Sequence, residues 1–209
     1  MLAIANFELI YQHLVVKHLH LVWRYIAITL DYFVQYCAPT LAGLKASSLF
    51  SYKYKNTDDL EKSIASFNTL INPKGVYVDI LKSTDNFALI FVYRRAKLQA
   101  LLNRVEIQDF LSTYGYNDFT INGCLQVLES NTNSTCFPHE IGVFLEYPLN
   151  DVKSFIAKKG MDYKCVGCWK AYHNKNEAQK TFSLYEKCTR VYCQKVEQGF
   201  DVNRLTVVG

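Results

Sequence analysis

VYVDILKSTDNFALIFVY, residues 76–93, is the stretch whose reading decides the fold. Val76, Val78 and Ile80 alternate with Tyr77, Asp79 and Leu81, the period of two expected of a half-buried strand. Ser83 to Asn86 turns the chain, and Phe87 to Tyr93 is a continuous apolar run suited to a central strand. The stretch predicts a hairpin of about 76–82 and 87–93. Just before it, Asn72-Pro73-Lys74-Gly75 is turn chemistry, and Asp58 with Glu61 resembles a capping box ahead of Leu60, Ile64, Phe67 and Ile71 at helical spacing.

Working outward, Arg94 to Tyr114 reads as a helix bent near Glu106, followed by a helix over about Asp118 to Leu128 and a polar loop from Glu129 to Thr135. Pro138 suits a first helical position, so His139 to Tyr147 is predicted as a short helix. Asn150 or Asp151 caps the next one, which stops at Gly160. Cys165 to Tyr172 is predicted as a third strand, and Glu177 to Gln198 as a long closing helix. Toward the N-terminus, Pro39 should break the first helix and Thr40 cap a short second one through Leu44 to Leu49. The class is α+β: a mainly helical single domain, residues 30–209, around a small sheet, with an extra apolar N-terminal helix over residues 1–29.

That helix invites a transmembrane reading, but Glu8, Lys17, Arg24 and Asp31 interrupt it well short of the ~20 apolar residues a span needs. His13, Lys17, His20, Arg24 and Asp31 fall on one helical face and leave the rest apolar. Such a cylinder must be covered, by the same chain, by a second copy in a homo-oligomer or by a membrane surface. A start codon placed too far upstream is the alternative. His13 and His20 lie about 10 Å apart along the axis, too far to share one ion.

Half of the 209 residues are apolar and 14% aromatic, enough for a sizeable core. A net charge of +4, from 23 basic and 19 acidic residues, without a basic run interleaved with aromatics, excludes the footprint of a nucleic-acid binder. Seven cysteines form an odd set in a chain that needs no staples. Reduced thiols in a cytoplasmic protein follow, and the sequon Asn133-Ser134-Thr135 is then an accident. No P-loop, G-x-G-x-x-G or G-x-S-x-G motif occurs.

The residues that could carry chemistry form a short set. Cys37, read as lying just ahead of a helix start, is placed where a backbone dipole favours thiolate, and His139 could pair with it as base. His139 and Glu140 open a helix, but Val143 stands where H-E-x-x-H needs its second histidine, so a zincin is excluded. A neutral His139 could instead serve as base or as a ligand to a metal or haem. Arg94 and Arg95 at a strand end, with Lys170, could bind a cofactor's phosphate or carboxylate. Cys165-Val166-Gly167-Cys168 with Cys188 and Cys193 is the nearest approach to a zinc signature. Cys188 and Cys193, five apart on one helix, point about 140° apart and disfavour a structural zinc site, leaving Cys168 and Cys188 as candidate soft-metal ligands. Trp169 reads as core, and each of the other side chains could equally serve only in packing or capping.

Four phrases then stand out: Tyr36-Cys37-Ala38-Pro39-Thr40-Leu41-Ala42-Gly43-Leu44-Lys45; Phe137-Pro138-His139-Glu140-Ile141-Gly142-Val143-Phe144-Leu145-Glu146-Tyr147-Pro148; Gly167-Cys168-Trp169-Lys170-Ala171-Tyr172; and Phe182 to Tyr192 with Lys187-Cys188. In this order they resemble a bacterial family known as domain of unknown function 3793, from about Leu30 to the C-terminus. The resemblance places residues 1–29 outside the family and implies no assigned activity. It implies an association with anaerobic bacteria and with electron-transfer partners of flavodoxin type. Two functions remain open. One is a cytosolic redox, cofactor- or metal-handling protein in which Cys37, His139 and Cys168 or Cys188 converge. The other is a non-catalytic interaction module with buried structural cysteines.

Overall fold

The computed structural model describes residues 28–133 and 137–209. The N-terminal helix expected over 1–29 lies outside the described residues but for its last two positions, as do Cys136 and most of the sequon. Helix α1, Leu30–Leu41, starts at Thr29, whose side chain accepts from the Tyr32 amide. Phe33, Val34, Cys37, Ala38 and Leu41 are buried at helical spacing. Pro39 does not break α1 but sits inside its last turn. The one carbonyl it leaves without a donor belongs to exposed Gln35. The helix ends instead at Gly43, whose φ of +77° is the left-handed conformation that glycine adopts most readily.

The helix expected over 44–49 is a strand. β1, Ser47–Lys53, pairs antiparallel with β3, Phe87–Arg94, which also pairs with β2, Val76–Thr84, giving the order β1-β3-β2. A strand apolar on both faces needs a neighbour on each edge, and the hairpin supplies only one. β1 supplies the other. Helix α2, Thr57–Ile71, connects β1 to β2 through a 3-10 turn, and its N-terminal cap is Asn56.

Beyond β3 the predicted bent helix is two helices, α3 Arg95–Leu102 and α4 Val105–Ser112. They are followed by α5 Ile121–Thr132, capped by Thr120, a single turn α6 Ile141–Phe144, and α7 Leu149–Ala157. α7 is capped by neither Asn150 nor Asp151, since its N-cap position is Pro148. The predicted third strand is a separate tight hairpin, β4 Cys165–Val166 with β5 Lys170–Ala171, and not part of the main sheet. The chain closes with α8 Lys175–Glu197 and α9 Val202–Leu205.

This is an α+β fold with one core on each face of the sheet. Ala88, Ile90 and Val92 face a core shared with α1, α2, α8 and α9, while Leu89, Phe91 and Tyr93 face one shared with α3 to α7. The period-two alternation of β3 serves both. Among the described residues no helix is long and apolar enough to cross a membrane.

Candidate functional site

Between Asp31 and Lys53 the sequence carries a single charge, Lys45. It lies in the segment linking α1 to β1, where Leu44 and Lys45 donate their amides to the Pro39 carbonyl. Two bonds clamp this segment to the turn after α6: Glu146 Oε2 accepts from the Ala46 amide at 2.6 Å, and Ser47 Oγ donates to the Phe144 carbonyl at 2.6 Å. Glu146 has φ +59°, a left-handed conformation that costs a non-glycine residue ~1–2 kcal/mol. The bond to Ala46 helps hold it there.

The clamp buries Lys45 to 8% exposure. Its ammonium lies 5.2 Å from the ring centre of Tyr147 and 5.9 Å from that of Tyr185, and makes no hydrogen bond or ion pair among the described residues. Burial pushes its pKa below the ordinary lysine value, opposed by electrostatic attraction to Cys168, Cys37 and Glu146. A buried ammonium without a hydrogen-bonded counter-ion is costly to the fold.

Next to Lys45 opens a cavity of about 170 Å³. Leu49, Ile141, Leu145 and Val152 supply its apolar lining, and Phe137, His139, Phe155, Cys168 and Trp169 line it as well. Asp151, 3% exposed, holds the β4-β5 hairpin there: its carboxylate accepts from Trp169 Nε1 at 2.9 Å and from the Tyr172 and His173 amides at 2.9 and 3.1 Å. That use is why Asp151 does not cap its own helix. Trp169 stacks on Tyr147 at 5.3 Å and meets Phe182 edge-on at 4.5 Å. A Cβ at Gly167 would lie 2.3 Å from the Phe182 ring, so only glycine lets the hairpin sit this close to α8. Residue 168 as a whole is exposed, yet enough protein surrounds its thiol that desolvation raises the pKa, opposed by Lys45.

The structure sorts the residues expected from sequence. Cys168, His139 and Lys170 reach the same cavity. The imidazole of exposed His139 makes an edge contact with Phe155, at 5.2 Å, and no hydrogen bond to a described residue, and Lys170 donates to the Gly160 carbonyl at 3.0 Å. Cys37 does not lie ahead of a helix start: it is in the C-terminal half of α1, fully buried, and burial pushes its thiol far up while Lys45 opposes. It flanks Lys45 without lining the cavity. Glu140 points elsewhere, accepting from Asn131 Nδ2 at 2.9 Å and from the Tyr116 hydroxyl at 3.3 Å.

Arg94 is not placed to take a ligand's phosphate, because its guanidinium donates to the carbonyls of Thr40, Leu41 and Val207. Arg95 lies over the Tyr77 ring, so the expected trio with Lys170 is not assembled. Cys188 packs in the core shared with α1, its thiol pushed up to about 11 by burial. Among the described residues no three His, Cys, Asp or Glu side chains are grouped to hold a metal. The residues missed from sequence are Lys45, Glu146, Tyr147 and Asp151. Lys45 had a signal, as the lone charge in an otherwise uncharged segment.

Fold and site together define an α+β domain with a buried lysine seated beside an aromatic-walled thiol pocket. Residues 33–206 match the family described as Protein of unknown function (DUF3793), and the chain belongs to that family. No curated protein and no solved structure matches it significantly. All four phrases that carry the resemblance meet here: the first contributes Cys37 and Lys45, the second Glu146 and Tyr147, the third Cys168, and the fourth Tyr185.

Proposed function

We propose that the protein is a thiol-based redox or cofactor-handling protein, working in a reducing compartment such as the bacterial cytoplasm, with Cys168 as its reacting group and His139 beside it. The observation that carries this reading is the seating of Lys45. An ammonium largely withdrawn from water, without a hydrogen bond to any described residue and within electrostatic reach of a thiol on a cavity wall, acts on that thiol. Burial disfavours the ammonium and the thiolate alike, and each charge opposes the penalty on the other. Ionising Cys168 next to the ammonium then costs less than ionising an equally desolvated thiol elsewhere. A thiolate formed this way is more nucleophilic than that of a strongly acidic thiol. The His139 imidazole lines the same cavity with no hydrogen bond to a described residue, and is the group there suited to acid–base assistance.

The test is peptide-mapped alkylation of the full chain by iodoacetamide under anaerobic conditions. Cys168 is expected to label first, ahead of the less exposed Cys165 and Cys193, and to lose that lead in Lys45→Met. Equal labelling of the three would contradict the reading.

A further inference from the structure

The cavity also constrains what it can hold. Of the two charged side chains lining it, Asp151 is taken by three N–H donors, and Lys170 donates one N–H to the Gly160 carbonyl and lies 5.0 Å from the Tyr163 ring centre. In so apolar a lining a charged ligand would lose most of its hydration for little more than the remaining N–H groups of Lys170. The remaining surface is aliphatic and aromatic, and includes the Trp169 ring, fixed by Asp151 and held between Tyr147 and Phe182. Such a wall favours a planar, uncharged ring system. Among the described lining residues, the Cys168 sulfur is the nucleophile, and the His139 imidazole and the Tyr147 hydroxyl have no hydrogen bond to a described residue.

We infer that this cavity takes a planar, uncharged conjugated carbonyl compound of the quinone class, which lies on Trp169 and offers an electrophilic ring carbon to Cys168 and a carbonyl oxygen to His139. This rests on the reading of Cys168 as the reacting thiol. The step is a conjugate addition. The Cys168 sulfur pair forms an S–C bond, and the ring C=C pair shifts to the carbonyl oxygen. That oxygen takes a proton from His139, and the thiol proton passes to solvent. Loss of the ring C–H proton to the second carbonyl oxygen then leaves a thioether of the hydroquinone. Two electrons have moved from the thiol to the ring, so no further oxidant or reductant is needed.

The probe is 1,4-naphthoquinone, incubated with the full chain without oxygen and followed by mass spectrometry. The adduct should map to Cys168, and its rate should saturate with quinone concentration, as binding before reaction requires. Naphthalene, which has the shape but no electrophilic carbon, should protect Cys168 about tenfold from the quinone. His139→Gln should slow addition without abolishing saturation. A linear, unsaturable rate with no protection would overturn the inference even where iodoacetamide still singles out Cys168. A Cys168 unreactive toward both reagents would instead remove the thiol reading itself.

Discussion

Two cations are buried around the C-terminal end of α1, and they are treated in opposite ways. Arg94, 3% exposed, spends its donors on carbonyls, tying the last turn of α1 to the chain's own C-terminal segment at Val207. Lys45, 8% exposed, has aromatic faces and thiols around it, and its ammonium makes no hydrogen bond among the described residues. A guanidinium matched to fixed acceptors stabilises what it joins. An ammonium left unmatched is held at a cost, and its retention in the fold calls for a chemical reason. The contrast between architecture and function is therefore written in the partners of two similar charges rather than in their burial.

Arg94→Met should have the largest effect. It leaves three backbone acceptors without their donor and should destabilise the fold by ~3–5 kcal/mol, read from urea unfolding. A loss below about 1 kcal/mol would erase the distinction. Asp151→Ala should come next, at ~2–3 kcal/mol, because three N–H groups lose their acceptor and Trp169 loses its anchor. Its tryptophan emission should move to longer wavelength as the ring meets water. Lys45→Met should go the other way, leaving the fold as stable or up to ~1 kcal/mol more stable at neutral pH, while Cys168 becomes slower to alkylate.

The smallest effect is one of pH, and its sign separates the groups. The pKa of Lys45 is lowered on folding, so its ammonium penalises the native state below that depressed value, and the penalty fades as pH rises through it. Any stability gained by Lys45→Met should therefore shrink as the solution becomes alkaline. The buried acids behave oppositely. Cys188 is pushed up to about 11, Cys124 to about 12 and Tyr185 to about 12, so the stability they contribute is complete below the ordinary thiol and phenol values and is lost as pH rises toward 12. Urea midpoints measured at intervals from pH 7 to 11 in both proteins should show the gap closing while both decline.

The hairpin of β2 and β3 is legible in the sequence because few structures besides a strand pair produce an alternating stretch followed by a fully apolar run. β1 is not, because Ser47, Ser48 and Ser51 carry little strand signal. It is a strand because β3 needs a second neighbour, a fact of tertiary pairing. The proline rule fails at Pro39 for a related reason: in the last turn only one bond is lost. At the site, Cys168 and His139 can be named as reactive types, but their sharing of one cavity depends on Asp151 holding a hairpin 18 residues away in sequence. Arg94 misleads because a strand-end arginine looks the same from sequence whether carbonyls or a ligand take its donors. Lys45 escapes notice although it is the lone charge of its segment, since an isolated lysine is by habit read as a surface residue.

The central claim is that Lys45 acts on Cys168, and the most direct measurement is the pH dependence of Cys168 alkylation in the wild-type chain and in Lys45→Met. The inflection should move up by about one pH unit in the variant, with the rate at pH 7.5 falling about tenfold, the size expected when one nearby charge is removed from a partly desolvated thiol. Superimposable profiles would show that the buried ammonium does not act on the thiol, and the functional reading of the site would fall with it.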